Sequence, residues 1–303
     1  MITLVIPSYN HINYVLGCIK AALAVDLPGR KILVIDDGST DGSGEAIGDF
    51  ISSLSDSTVE FISKPNAGLV SSLNLGLAMV DMEFVYLVAS DDIPEAAGIK
   101  KCVDKLIGSP NAKFCIGGGY AFFDQLPEKR TPIYGVAQDN FFSLSVDAMS
   151  RSIFLNYPSP ILLQSTVFRT DALRTIGGWD PKLMLDDYPT FIKLLTRFPV
   201  RDVDFLYVPE VSVVGYRQHE SNSYKNVKRQ YFMVRELMEE LAPDYIQRKA
   251  IGRVLASYVI SALKSGDFAT TLAMLRASKF MHVVAAIPAA IGLVGKKIAG
   301  RSN

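Results

Sequence analysis

The sequence predicts an α/β fold: a mixed, mostly parallel sheet flanked by helices, with a helical region appended at the C-terminus. Three observations carry that prediction. Short β-branched runs alternate with segments of helical spacing over residues 2–119. Two of the runs end in paired acids, Asp36 with Asp37 and Asp91 with Asp92. From about residue 224 onward the spacing is helical throughout.

Strands are expected at 2–6, 31–36, 59–63, 83–89 and 113–117. Helices are expected near 12–24, 42–54, 69–80 and 95–108. Such alternation implies parallel strands joined by right-handed crossovers. Ligands then bind at the carboxyl ends of the strands, near the point where strand order reverses. Residues 120–170 read as irregular, because Pro127, Pro132, Pro158 and Pro160 interrupt them. A helix follows at Thr170–Ile176, a turn at Gly177–Asp180, a helix at 187–198 and a strand at Val211–Arg217. The C-terminal helices are expected at 224–241, 244–264, 267–280 and 282–299. Two domains follow as the expectation, 1–222 and 223–303.

Composition narrows the function. Of 303 residues, 49% are hydrophobic and 20% charged, which is globular rather than disordered. The 31 basic side chains balance 31 acidic ones, so no global field exists to hold nucleic acid. Cys18, Cys102 and Cys115 lie far apart without metal-ligand spacing, and an odd count suits a reducing compartment. Ile2–Ile6 reads directly as a strand with no basic, apolar leader before it. A cytoplasmic location is therefore expected, or a peripheral one on the cytoplasmic face of the plasma membrane.

The last helix carries an uncharged stretch, Val283–Val294, followed by Lys296, Lys297 and Arg301. It falls short of the roughly 20 residues needed to span a bilayer. A buried terminal helix and an interfacial membrane contact with a basic flank both fit it.

The chemistry lies in the loops after the strands. Asp91 and Asp92 close the apolar run Glu83–Ser90. Two adjacent anions need a counter-charge, and a hard divalent cation supplies it. One carboxylate would bind the cation, the other a ribose or a metal-bound water. IPSYN at 6–10 offers Pro7, Ser8, Tyr9 and Asn10. There the proline ends the strand and the ring and polar groups suit a base and ribose, or Asn10 simply caps the next helix. At 36–43, DDGSTDGS provides a carboxylate for a base N–H or ribose hydroxyl, while Asp41 caps a helix. Asn66 and Gly68 open a helix whose N–H groups suit phosphate, and Asn74 follows two turns later. Asp186 and Asp187 open the helix at 187–198, where either the helix dipole or a general-base role accounts for them. His219 stands past a strand beside Arg217 and ahead of Asn222, where it suits a metal or a phosphate. His11 and His282 read as structural.

Taken in order, IPSYN at 6–10, DDGSTDGS at 36–43, NAGLVSSLNLGL at 66–77, SDD at 90–92, GGWD at 177–180, LDDY at 185–188 and YRQHESN at 216–222 resemble the family 2 glycosyltransferases of the GT-A type. The similarity covers roughly residues 2–222. It implies inverting transfer of a sugar from a nucleotide-diphosphate sugar, usually a UDP-sugar, with Mn²⁺ or Mg²⁺. The resemblance assigns the nucleoside to Pro7, Tyr9, Asn10, Asp37 and Asn66. Gly68, Asn74, Asp91 and Arg217 join them on the donor side. It makes Asp92 the direct metal ligand, with His219 beside it, and Asp187 the base, with Asp186 its companion.

Four departures accompany the resemblance. Leu73 stands where the family often has arginine, and Asp186 replaces the commoner glutamate. Pro189 and Phe191 occupy positions where an acid and an aromatic are common. The Gln-x-x-Arg-Trp motif of polymerising members is absent, since Trp179 is the only tryptophan. Single additions are thus expected, with a lipid-linked glycan of cell-surface polysaccharide assembly as acceptor. Nucleotidyl transfer would need a glycine-rich, basic loop that Pro7–His11 does not provide, and Gly117–Gly119 is too compact for a dinucleotide turn. A catalytically impaired nucleotide-sugar-binding scaffold remains the alternative, because of Leu73.

Overall fold

The computed structural model describes residues 1–219 and 226–299, leaving aside the side chains of Pro127 and of residues 294–299. Asn222, Arg301 and the side chains of Lys296 and Lys297, singled out above, lie outside the described residues. The chain groups into two compact units. The first comprises Met1–Val146, Pro158–Lys182 and Asp186–His219. The second gathers Asp147–Tyr157, Leu183–Leu185 and the chain beyond His219.

The first unit opens with the expected alternation: β1 (Ile2–Ser8), α1 (Val15–Leu23), β2 (Arg30–Asp36), α2 (Ser43–Ser53), β3 (Val59–Ser63), α3 (Leu69–Met79) and β4 (Phe84–Leu87). Every residue of β1 and β4 is buried, because helices cover both faces of a parallel sheet. That is why these strands read as unbroken apolar runs. β1 pairs in parallel with β2 on one side and β4 on the other.

Pro7 does not end β1, as its type suggested; it sits inside the strand opposite Ile35. Ser8 turns its carbonyl to Asp37 next to β2, and Val5 turns its carbonyl to Val88 next to β4. Pro7 alternates with Ser8 and so points to the β4 side. β4 pairs with β1 only as far as Val5, so the missing N–H breaks no ladder bond there.

The sheet then becomes mixed. β5 (Ile93–Pro94), α4 (Ala96–Gly108), β6 (Phe114–Phe123), β7 (Leu126–Pro132), α5 (Val136–Phe142) and α6 (Val146–Leu155) come first. β8 (Thr166–Arg169), α7 (Thr170–Thr175), α8 (Asp187–Arg197) and β9 (Phe205–Gln218) follow. Among the described residues the strand order is β3-β2-β1-β4-β8-β6-β9-β5, with β7 on β6. β8 is antiparallel to both β4 and β6, whereas β9 is parallel to β6.

Residues 120–170 are therefore not irregular. They hold β7, α5, α6 and β8. Pro127 and Pro132 fall in β7, which pairs with β6 alone, and an edge strand tolerates proline. Pro158 and Pro160 lie between α6 and a single 3-10 turn, Leu163–Ser165. The glycine triplet Gly117–Gly119 is a stretch of β6 with shifted register against β9. A Cβ at Gly118 would collide with the Pro209 carbonyl, so the backbones themselves demand glycine.

The core of this unit packs Ile2, Leu4, Ile6, Ile19, Phe84 and Tyr86 together, behind the strand ends rather than at them. The second unit carries α9 (Val227–Leu241), α10 (Asp244–Lys264), α11 (Phe268–Ala277) and α12 (Phe280–Ala299). Tyr231, Leu255, Ala262 and Met274 form its small core. Among the described residues no helix is long and apolar enough to cross a membrane.

Candidate active site

The loops after β1, β2 and β4 meet because these three strands are parallel neighbours. The chain leaves β1 for β2 on one side and, after β3, returns to β4 on the other. That reversal opens a crevice at the carboxyl end of β1.

The first two loops are stitched side chain to backbone. Asn10, at φ 54°, accepts from Thr40 N through Oδ1 at 2.8 Å, and its own N–H donates to Ser39 Oγ at 2.9 Å. Asp41 accepts from Ile12 N at 3.0 Å and from Ser43 N at 3.0 Å. Burial opposes the charge on Asp41, yet these bonds and the Ser43 hydroxyl hold its carboxyl below the ordinary range. Asp41 is thus a loop tie, and Gly42 takes the N-cap position of α2.

Asp37, expected to contact the nucleoside, ties loops together as well. Its Oδ2 accepts from Gly68 N at 2.8 Å and its Oδ1 from Ala67 N at 3.0 Å, with Lys64 paired to Oδ1. Both oxygens help hold the Asn66–Gly68 loop against β2, and Oδ2 keeps a further acceptor site. Gly68 has φ 86°, which lets the loop turn into α3 with its N–H aimed at Asp37. By contrast, among the described residues Oδ1 of buried Asp36 and Oγ of buried Ser8, its register partner, have no hydrogen-bond partner. Tyr9 and Asn66 are exposed at these strand ends.

Asn74, expected on the donor side, is engaged by a turn of the chain. Its amide clamps the Trp179 backbone, donating to Trp179 O at 2.8 Å and accepting from Trp179 N at 3.0 Å. Through both ends of its amide Asn74 fixes the Gly177–Asp180 turn. Leu73, where an arginine was expected, fills a buried core position.

The acid pair after β4 divides its labour. Asp91 Oδ2 lies 2.9 Å from His219 Nε2 and 4.0 Å from His11 Nε2. Asp92 is buried, accepting from Arg217 N at 2.8 Å on Oδ1 and from Gln164 Nε2 at 3.1 Å on Oδ2. Burial, then the charge of Asp91, pushes the Asp92 carboxyl well above the ordinary carboxylate range. Asp91, not Asp92, therefore faces His219, and Asp92 stands behind it as a hydrogen-bonded support.

β9 delivers the remaining groups. Arg217 donates from Nε to the Asp91 carbonyl at 2.7 Å and pairs with Asp124. Its guanidinium lies between the rings of Tyr14 and Phe122, 4.9 and 4.8 Å from their centroids. Tyr14 also stacks on His219 at 5.3 Å. His11 is not the bystander its sequence suggested: its Nδ1 meets Ser90 Oγ at 2.8 Å. Its signal was position alone, next after IPSYN in the first loop. Tyr14 and Gln164 carried no comparable signal.

Asp187 begins α8, and its Oδ1 accepts from Leu163 N at 2.6 Å. Burial first, then the charges of Asp186 and Asp92, raise its carboxyl well above the ordinary range. A carboxylate so raised is suited to accept a proton near neutrality. Burial raises Asp186 as well.

A carboxylate oxygen suits Mn²⁺ or Mg²⁺, whereas an imidazole nitrogen suits softer divalent ions than Mg²⁺. Among the described residues, no group of three His, Cys, Asp or Glu side chains could hold a metal ion. Asp91 and His219, 2.9 Å apart, are the residues at this strand end that would hold such an ion.

Solved glycosyltransferases share this fold. TarS 1–349 of Staphylococcus aureus, in complex with UDP-GlcNAc, has a TM-score of 0.61 at 17% identity, covering 86% of this chain and 72% of that one. Mannosyltransferase PcManGT from Pyrobaculum calidifontis, in complex with GDP-Man and Mn²⁺, has a TM-score of 0.58 at 15% identity, covering 96% and 86%. The fold is thereby that of the GT-A glycosyltransferases. The Glycosyl transferase family 2 model matches residues 3–168, more than half of the sequence, and the chain belongs to that family.

The sequence relatives agree. An uncharacterized glycosyltransferase of Rickettsia felis is 30% identical over 201 residues, 66% of this chain and 32% of that protein. Glycosyltransferase GlyA of Streptococcus pneumoniae is 33% identical over 121 residues, 40% of this chain and 17% of GlyA. Poly-beta-1,6-N-acetyl-D-glucosamine synthase of Staphylococcus epidermidis is 22% identical over 218 residues, 69% of this chain and 50% of the synthase. The chain spans half or less of the length of each of these three relatives.

Proposed function

We propose that this chain is a metal-dependent, inverting glycosyltransferase. It takes a sugar from a nucleotide-diphosphate sugar, with UDP as the nucleotide, and adds it singly to a hydroxyl of a lipid-linked glycan in cell-surface polysaccharide synthesis. The observation that carries this reading is the 2.9 Å pairing of Asp91 with His219, one residue from an Asp92 whose charge is felt by Asp187. A cation-binding pair and a raised carboxylate are the two groups that such a displacement needs.

Each residue has a task in this reading. Tyr9, Asn10 and Asn66, on the strand of Pro7 and the loop held by Asp37 and Gly68, frame the nucleoside. Asp91 and His219 hold Mn²⁺ or Mg²⁺, which when bound neutralises charge on the departing diphosphate. Asp92 and the Arg217 backbone keep Asp91 in place, and the guanidinium adds positive charge. Asp187 accepts the proton of the acceptor hydroxyl as that oxygen attacks the anomeric carbon, and the bond to the diphosphate breaks on the opposite face. One displacement inverts the configuration. Asp186 raises the basicity of Asp187 through its charge.

The impaired-scaffold reading rested on Leu73, and the intact acid constellation weighs against it. Release of nucleotide diphosphate from a panel of nucleotide sugars, with and without Mn²⁺, tests the proposal. Metal-stimulated release from a UDP-sugar is expected. No release from any member of the panel, with metal present, would overturn it.

A further inference from the structure

The second unit presents an apolar face that its own packing does not use. α12 is apolar on nearly every side. One side is turned inward: His282 is buried, Ala286 packs on the Tyr231 core, and a Cβ at Gly252 of α10 would lie 2.6 Å from that of Ala285. The opposite side carries Phe280, Val284, Ile287 and Ile291, all exposed. Their spacing of four, three and four residues confines them to an arc of about 60° over a length of about 16 Å. Phe280 is 78% and Ile291 70% exposed. α11 repeats the device with Phe268, Leu272 and Leu275, Phe268 being 70% exposed. Isolated exposed apolar residues are ordinary, whereas stripes on two successive helices mark an interaction surface.

Charge identifies what covers it. From residue 268 to the end, the sequence contains Arg276, Lys279, Lys296, Lys297 and Arg301, and no Asp or Glu. The rest of the chain offsets this local excess, since the whole is neutral. Apolar stripes within a purely basic segment complement a bilayer surface bearing anionic headgroups. A second copy bound through the same face would set like charges against each other. No described helix is fit to cross a membrane, so these helices would lie in the interface rather than span it.

We propose that α11 and α12 seat this protein on an anionic bilayer surface, with Phe268, Phe280, Ile287 and Ile291 entering the headgroup boundary. The inference stands on these helices and does not require the catalytic reading. Where both hold, the enzyme meets acceptors carried on lipid.

The test is co-sedimentation of the full chain with phosphatidylglycerol-containing vesicles and with phosphatidylcholine vesicles. Binding to the anionic vesicles is expected, weakened by salt, with little binding to the neutral ones. Ile287→Asp with Ile291→Asp should lower the vesicle partition by at least about tenfold and leave circular dichroism unchanged, since both side chains are exposed. Phe280→Ser serves as an independent variant. Equal partition of variants and wild type overturns the proposal, as does a wild type that binds no vesicles. A dimer in light scattering that these variants dissociate, without vesicle binding, assigns the face to a second copy instead. Nucleotide release is read on the same preparation without vesicles, so failure of the surface and failure of the transferase reading remain separate results.

Discussion

Asp92 and Asp187 are held by neighbouring residues of one turn. The Gln164 side chain donates to Asp92 Oδ2 at 3.1 Å, and the adjacent Leu163 N–H donates to Asp187 Oδ1 at 2.6 Å. The proposed cation side and the proposed base side of the site therefore share a single short spacer between them. Tyr86 anchors that spacer through a 2.7 Å bond from its hydroxyl to the Gln164 carbonyl.

Asp187→Asn keeps the shape and removes the base. Turnover should fall by about 10²- to 10⁴-fold, while donor affinity by calorimetry stays unchanged. The raised carboxyl of the wild type also sets the acid limb of its pH profile. Turnover should decline as pH falls through that raised value, at a pH above the ordinary carboxylate range. A limb near an unperturbed aspartate would contradict the base assignment.

Asp91→Asn and His219→Ala should each weaken metal-dependent donor binding, with little effect on binding without metal. His11→Ala should act more mildly, by about tenfold, because His11 touches Ser90 and stands 4.0 Å from Asp91. Titration of the donor with and without Mn²⁺ separates these cases. A His219→Ala protein with full metal response would remove His219 from the site.

Asp92→Asn should raise the melting temperature of the metal-free protein. Burial raises the folded carboxyl above its unfolded value, so the native state holds the proton more tightly. Stability is then lost as pH rises from the ordinary carboxylate range through the raised folded value. The amide carries no charge and escapes that loss, so its advantage should grow with pH across this window. Melting curves in chelator at several pH values give the comparison. An advantage that shrinks with pH would refute the account.

Asn74→Ala removes both bonds to the Trp179 backbone. It should destabilise the protein by about 1–3 kcal/mol in denaturant unfolding. Nucleotide affinity, normalised to folded protein, should change little. A selective loss of affinity with unchanged stability would return Asn74 to the donor side.

Much of this architecture was legible along the chain. Strands β1 and β4 announced themselves because burial on both faces leaves mainly apolar residues. The paired acids stood out because a charge ending such a run needs a reason. What failed to show were elements whose residues answer to distant partners. β7 looked like a loop because an edge strand needs few of its own N–H groups. Asn74 looked like a donor contact because its partner lies 105 residues away.

The sequence by itself determined the parallel core and the residue types at the strand ends, since local spacing and burial periodicity suffice for those, and its motifs in order resembled the family to which the chain belongs. Tertiary structure alone decided which acid faces which histidine. Asp37 turned out to bind the 67–68 backbone, Asp91 rather than Asp92 met His219, and His11 came to stand beside Ser90. Those outcomes depend on which oxygen is already hydrogen-bonded, and the donors that occupy it arrive from other strands only when the sheet assembles.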